Sequence, residues 1–303
     1  MTLTRRAVLA TGTAGLAAGL CPLRAWSGAS LNLGDLQIDT LSDGHLVLPL
    51  SFALGDIAPE DAAPIFARYG ISGDTLEPPC NVTLVRDGTN TVLFDVGAGP
   101  DFMPSAGKLA EALDTLGLAT EDVTHVVFTH GHPDHLWGAL DDFDDPMFIE
   151  ATHLIGKAEF DYWMDPATVD TIDAGRTTFA VGAKRRLEEL ADAIATFEDG
   201  DEILPGIAAH ASYGHTPGHM SFELAGGAMI VGDAVVNHHL AFERPEWRSG
   251  SDQDPDMGAD TRVKLLDQIA SAQMTLIGFH LPGGGIGRVE RTADGYRFVT
   301  EDM

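Results

Sequence analysis

Four candidate metal ligands fall within six consecutive residues, His130-Gly131-His132-Pro133-Asp134-His135. They follow directly on Val126-Val127-Phe128-Thr129, an apolar run that reads as a buried strand. His130 and His132 are two apart, so an extended segment turns both side chains to one side. Pro133 favours a turn or a first helical position, which lets Asp134 and His135 swing toward a neighbouring point. A segment of this kind can feed two metal ions lying close together. It also constrains the rest of the chain, which must bring further ligands to the same place.

The later sequence offers them at similar positions. His215 stands in Gly214-His215-Thr216-Pro217-Gly218-His219, Asp233 follows the apolar run Ala228–Val231, and His280 follows Thr275–Phe279. Between these points the pattern alternates. Val82–Val85 and Thr91–Asp95 read as a hairpin turning at Asp87-Gly88. Helices are expected at 105–118, 178–197 and 260–272, and strands at Val123–Thr129, 207–211, 220–225, 228–232 and 275–279. A closing hairpin is expected through Asp294-Gly295. This is a layered α/β chain. Pattern alone leaves an open doubly wound sheet and a four-layer sandwich both standing.

The ligand motifs resemble those of the metallo-β-lactamase superfamily: H-x-H-x-D-H, a G-H-T-P-G-H histidine, a G-D aspartate and a last strand-end histidine. Leu93-Phe94-Asp95-Val96-Gly97 is similar to that family's early apolar-Asp-x-Gly turn. Leu204-Pro205-Gly206-Ile207, Gly285-Ile286-Gly287 and Gly295–Val299 resemble its methyl parathion hydrolase and lactonase branch. The resemblance implies an α/β (α+β) chain folded as a four-layer αββα metallo-β-lactamase sandwich, with residues 30–303 as one hydrolase domain. It also implies two metal sites. His130, His132 and His215 would hold one ion, Asp134, His135 and His280 the other, and Asp233 would bridge them together with a hydroxide. Zn2+ is the default for such ligands, and Mn, Fe or Co would also fit. The reaction implied is attack of the bridging hydroxide on a small neutral ester, lactone or organophosphotriester, with Asp134 and Asp233 as the catalytic carboxylates.

Other residues are assigned around this centre. Asp95 is either a strand-end turn residue or the acceptor for a ligand histidine's second N–H. His219, four after His215, is a candidate for the same supporting layer. Phe102, Trp163 and Phe179 are expected to form an aromatic substrate pocket, and Tyr213 is a candidate to reach a substrate oxygen. Asn81-Val82-Thr83 is a formal glycosylation sequon on a predicted strand and reads as structural. Asp252, Asp254 and Asp256 alternate, but a calcium loop wants Gly where Met257 stands and Glu where Val263 stands. A solvated acidic loop is expected there. The glycine-rich run after His280 predicts a mobile final ligand loop.

Charge narrows the partners. The chain has 18 Lys+Arg against 46 Asp+Glu, a net −28, which disfavours nucleic acid and anionic membrane surfaces. Residues 1–29 carry Arg5, Arg6 and Arg24 with no acid, and a weakly apolar run ends at Leu20. This resembles a twin-arginine export signal and predicts a periplasmic or secreted enzyme with no stable membrane insertion after cleavage. Cleavage after Ala25 or Ala29 would leave 15 basic against 46 acidic residues, or −31, with Cys80 as the only cysteine. The branch further implies a homodimer. The alternatives are a glyoxalase II-like thioesterase, a mononuclear-iron persulfide dioxygenase and a non-catalytic, metal-stabilised binding protein. Lys occurs only at 108, 157, 184 and 264, so no basic patch for glutathione is evident.

Overall fold

The computed structural model describes residues 27–300. Two seven-stranded sheets dominate. The first runs in the order β1 (Ser27–Leu33), β2 (Leu36–His45), β5 (Pro79–Arg86), β6 (Thr91–Phe94), β7 (His125–Phe128), β8 (Thr152–Gly156) and β9 (Ile194–Phe197). Its first three pairings are antiparallel and its last three parallel. The second runs β10 (Glu202–Leu204), β11 (Ile207–Ala211), β12 (Met220–Leu224), β13 (Ala228–Ile230), β14 (Thr275–Ile277), β15 (Ile286–Arg291) and β16 (Tyr296–Thr300). Only β13 and β14 are parallel in it. A two-stranded ribbon of β3 (Leu48–Pro49) and β4 (Thr75–Leu76) stands apart.

The period-two alternation of strand side chains divides the apolar residues between the faces. Val85, Val92, Phe94 and Val127 point into one core, where they meet Phe222, Ile230 and Ile277 of the second sheet. Their neighbours Leu84, Leu93, Val126 and Phe128 face the other way, onto helices Leu109–Thr115 and Thr177–Glu189. In the second sheet Met229, Leu276 and Val289 face outward onto Leu265, Leu266 and Ile269 of helix Pro255–Ala272. Strands with apolar residues on both faces must be covered on both. The result is the four-layer αββα sandwich.

Three expectations need correction. The helix expected over 178–197 ends at Glu189, and Ile194–Phe197 forms β9, parallel to β8. Pairing with His153–Gly156 overrides the helical spacing: Phe197 enters the inter-sheet core while Ile194 packs on the outer one. The helix expected over 105–118 spans only Leu109–Thr115, because Gly107, Lys108 and Leu109 give their N–H groups to the Asp43 carboxylate. The helix expected from 260 begins at Pro255, where Asp254 caps it by accepting from Met257 N. β1 and β2 had no counterpart in the sequence reading. Of the expected export signal, residues 1–26 lie outside the described residues, while Ser27, Gly28 and Ala29 open β1.

Asp43 joins β2 to the loop that carries the Val96–Ala98 turn. Its fully buried carboxylate accepts from Ala98, Gly107, Lys108 and Leu109 at 2.7–3.0 Å. Burial pushes its carboxyl above the ordinary value, against the pull of those donors. Asp43→Ala would orphan the N–H groups of Ala98, Gly107 and Leu109, while Lys108 N keeps the residue-43 carbonyl at 3.2 Å. We expect a loss of about 3 kcal/mol or more in denaturant unfolding. A loss below ~1 kcal/mol would show that water or a rearranged loop replaces the carboxylate.

Candidate metal centre

Every predicted ligand lies at one end of the sandwich, just beyond a strand. β7 delivers His130 and, through a short helix at Pro133–Leu136, Asp134 and His135. The β11–β12 connection carries His215, the turn after β13 carries Asp233, and the turn after β14 carries His280. The structure brings all seven together. His130, His132 and His215 form one cluster with ligand atoms within 4.8 Å of one another, and His130, His135 and Asp233 form a second. Asp134 and His280 form a third with Cys80. Asp233 spans the groups: Oδ2 is 3.3 Å from His215 Nε2 and 3.4 Å from His280 Nε2, and Oδ1 is 3.3 Å from His135 Nε2. His280 Nε2 is also 3.1 Å from Asp134 Oδ2.

Each histidine is held by its outer nitrogen, so the inner one faces the cluster. Thr129 Oγ1 lies 3.0 Å from His130 Nδ1, Asp95 Oδ2 lies 2.7 Å from His135 Nδ1, and the Pro79 carbonyl lies 2.7 Å from His280 Nδ1. Asp252 Oδ1 lies 3.2 Å from His215 Nδ1. For His132 the arrangement is reversed: Nδ1 is 2.9 Å from His215 Nε2, and Nε2 faces Gln253. Asp95 therefore supports a histidine, and its unusual backbone (φ 65°) aims the carboxylate at both His135 and the N–H and hydroxyl of Thr129. His219 acts on the backbone of Asp233 instead. Its Nε2 accepts from Asp233 N at 2.9 Å, while Nδ1 meets Ser212 Oγ at 2.8 Å.

Whether these residues suit a metal is tested by what they leave unpaired. His130 Nε2, His135 Nε2, Asp134 Oδ2 and Asp233 Oδ1 are buried with no well-directed hydrogen bond, the last three lying 3.1–3.4 Å from other atoms of the cluster. Buried polar atoms are rarely left so, and imidazole nitrogens with carboxylate oxygens form the usual donor set for a divalent ion. The fit is good. Electrostatics differ across the centre. Burial, with the neighbouring imidazoles, pushes His130 and His132 well below the ordinary histidine value, so both are neutral. Burial opposes charge on His135 and His280 too, but Asp233 and Asp134 overcome it and hold both imidazoles well above that value. The same imidazoles keep Asp134 and Asp233 below the carboxylate range, despite a burial effect in the other direction. Burial pushes the Cys80 thiol up to about 11.

Two of the three aromatic residues expected at a pocket line a cavity beside the ligand cluster. A cavity of about 310 Å³ opens onto His132, Asp134, His215, Asp233 and His280, and Phe102 and Phe179 line it. Their rings meet edge-on at 6.1 Å. Trp163 does not line it: it is buried behind Gly131, with Nε1 donating to Glu159 Oε1 at 2.5 Å. Its surroundings need a large apolar body with one donor, which makes it a core residue. Tyr213 borders a separate surface depression beside Lys157 and Asp199. The rest of the apolar wall comes largely from the segment before β5, including Leu46, Leu48, Phe52 and Ile71.

Sequence reading missed three supporting residues. Glu159 is fully buried and accepts from Gly131 N, Trp163 Nε1, Thr216 Oγ1 and Gly218 N, which ties the first ligand loop to the His215 loop. Its i,i+4 spacing to Trp163 was the only available signal. Asp252 belongs to the expected solvated acidic loop, yet it is buried between His215 and Arg262. Asn81, read as structural, donates from Nδ2 to the carbonyls of Phe279 and Leu281 and so brackets His280. The glycine-rich run after His280 is correspondingly tethered. A Cβ on Gly285 (φ 80°) would fall 2.1 Å from the Gly278 carbonyl.

These charges predict opposite pH trends with and without metal. The raised values of His135 and His280 stabilise the metal-free fold below about pH 6.5, and this contribution is lost as pH rises through the folded-state values. The lowered carboxyls stabilise it above about pH 4, with loss only on acidification. A divalent ion needs both imidazoles deprotonated, so binding should release protons near pH 7. We expect the metal-induced rise in Tm to be larger at pH 8.5 than at pH 6. Calorimetry in buffers of different ionisation enthalpy should show proton release. A metal-induced rise that shrinks with pH would contradict this assignment.

Comparison with known proteins agrees with the geometry. The family model described as the Metallo-beta-lactamase superfamily matches residues 75–272. Metallo-beta-lactamase domain-containing protein 1 of Xenopus laevis is 32% identical over 200 residues, which is 65% of this chain and 70% of that protein. The N-acyl homoserine lactonase AiiB of Agrobacterium fabrum is 23% identical, covering 88% of this chain and 97% of its own. Among solved structures, the dizinc quorum-quenching lactonase AidC superposes with a TM-score of 0.86 at 23% identity, over 92% of this chain and 99% of its own. The hydrolase AbOPH gives 0.85 at 27% identity, over 92% and 98%. With its strand-end histidines and aspartates set in this sandwich, the chain belongs to the metallo-β-lactamase superfamily and is a metal-binding hydrolase of that family.

Proposed function

We propose that the protein is a dinuclear metal-dependent hydrolase of small neutral esters, above all lactones with an apolar tail, and that organophosphotriesters enter the same site. The observation that carries this reading is the cavity. Its floor is the ligand cluster, its walls are mainly apolar, and none of the described residues lining it is Lys or Arg. An anionic tail would meet no Lys or Arg there, whereas an acyl or aryl group would lie against Phe102, Phe179 and Leu48. The same feature weighs against glutathione thioesters and persulfides, whose carboxylates need cations. The lactonase names of AiiB and AidC support the lactone choice.

The residues divide the work. His130, His132 and His215 would hold one ion, and Asp134, His135 and His280 the second, with Asp233 shared. Divalent ions so placed supply Lewis acidity and lower the pKa of a bound water from 15.7 toward about 7. Asp233 would be shared between the two sites, and His219 holds Asp233 through its backbone N–H. Asp134 and Asp233, both on the cavity floor, bring negative charge that two divalent ions outweigh, which leaves a positive centre for the developing oxyanion. Zn2+ is the ion we favour. The reading extends to export by the twin-arginine route and to a homodimer. Fractionation of the producing cell and light scattering of the purified chain test those two points.

The decisive measurement is metal content alongside turnover on lactones, aryl esters and phosphotriesters. Two ions per chain, loss of activity on chelation and a drop of roughly 10³-fold or more in kcat for Asp233→Ala are expected. One iron per chain with oxygen consumed on a persulfide would replace this proposal with the dioxygenase. A metal-loaded protein with no turnover on any of these substrates would favour a metal-stabilised binding protein. Phe179→Ala should lower kcat/KM about 5–10-fold for long-chain lactones and little for short ones. An equal loss for both would take Phe179 out of the tail site.

A further inference from the structure

Residues 250–254 lead into helix Pro255–Ala272 and pass behind the three-histidine cluster. Two consecutive side chains of this segment reach two different ligand candidates. Asp252 Oδ1 is 3.2 Å from His215 Nδ1, and Gln253 Nε2 is 3.2 Å from His132 Nε2. His132 follows a strand of the first sheet and His215 one of the second, and their inner nitrogens are 2.9 Å apart. The segment itself is firmly held. Gln253 N donates to the His215 carbonyl and Asp254 N to the Gly214 carbonyl. Arg176 Nη2 donates to the carbonyls of Gly250 and Ser251, at 2.8 and 2.9 Å. The buried Arg262 guanidinium binds Asp252 Oδ2 at 3.2 and 3.3 Å and is itself fixed by the carbonyls of Pro245 and Trp247.

The chemistry of imidazole gives this arrangement a purpose. When His215 Nε2 and His132 Nδ1 face a cation, the proton of each ring must sit on the outer nitrogen and needs an acceptor. Asp252 Oδ1 is the acceptor for His215. Gln253 supplies one to His132 by a half-turn of its carboxamide, which presents Oε1 to the ring. Its NH2 then donates to the Tyr162 hydroxyl, now 2.7 Å from Oε1. His135 and His280 depend instead on Asp95 and the Pro79 carbonyl, which the segment does not touch. We infer that Asp252 and Gln253 are positioning residues that set the proton placement and aim of His215 and His132, and so govern metal affinity at the three-histidine site alone. Arg262 holds Asp252 in register. The inference rests on the reading of the clusters as two metal sites.

The test is chelator competition on the full, zinc-loaded protein, with the cobalt-substituted spectrum as a second readout. In Asp252→Ala and Gln253→Leu one of the two ions should be lost at about 10–100-fold lower chelator concentration, the other at the wild-type concentration. The cobalt spectrum should change for one site only. Gln253→Glu, which keeps an acceptor oxygen, should restore wild-type retention. Should Asp252→Ala fail to fold, the half-buried Gln253→Leu still decides. Release of both ions from folded Gln253→Leu at wild-type concentrations would overturn the inference and leave the dinuclear reading intact. A wild-type protein that binds no ion would overturn both.

Discussion

The structure turns on a concentration of unpaired polarity at one point. Five imidazoles and two carboxylates are buried with their inner atoms directed at one another. In a low-dielectric interior such a group is tolerable only if charge is shared, by protons on His135 and His280 or by cations in their place. Much of the remaining architecture can be read as support for this demand. Two sheets end at the same edge, so that ligands separated by up to 150 positions in sequence meet within a few Å. The outer nitrogen of each ring then meets a carboxylate, hydroxyl, carbonyl or carboxamide.

The seven converging residues were legible in the sequence because their chemistry is local. A strand that ends in a histidine motif announces both its burial and its purpose, and a glycine-aspartate after a second apolar strand does the same. The layered fold was legible for a similar reason, since alternating apolar runs need two covers. The helix boundaries were less so. Ile194 and Phe197 continue a helical spacing from Leu187, and only the presence of β8 beside them makes them a strand. Asp43 shortens another helix by claiming its leading N–H groups across more than 60 residues of chain.

The supporting layer was the least legible part. Asp95 was within reach because it belongs to a motif next to a strand end. Glu159, Asp252 and Asn81 were not, since each does its work across a long sequence separation and has an ordinary local setting. Asp252 sits among exposed aspartates, and composition alone assigns it to solvent. What distinguishes it is Arg262, about two turns along the following helix, a partner visible only once that helix starts at Pro255. Trp163 failed in the opposite sense. Aromatic clustering suggested a pocket wall, but its donor is engaged by Glu159 behind the loop.

The cavity wall and the ligand set come from different parts of the chain. Much of the apolar wall precedes β5, while all seven ligand candidates follow β7. Changes in Leu46, Leu48, Phe52 or Ile71 can therefore reshape the space offered to a substrate without disturbing the donor atoms. The two regions touch at Pro79, which lines the cavity and whose carbonyl holds His280. For the part of the wall ahead of β5, the shape offered to a substrate is thus separable from the donor atoms except at Pro79, where a change of fit would also be a change of ligand geometry.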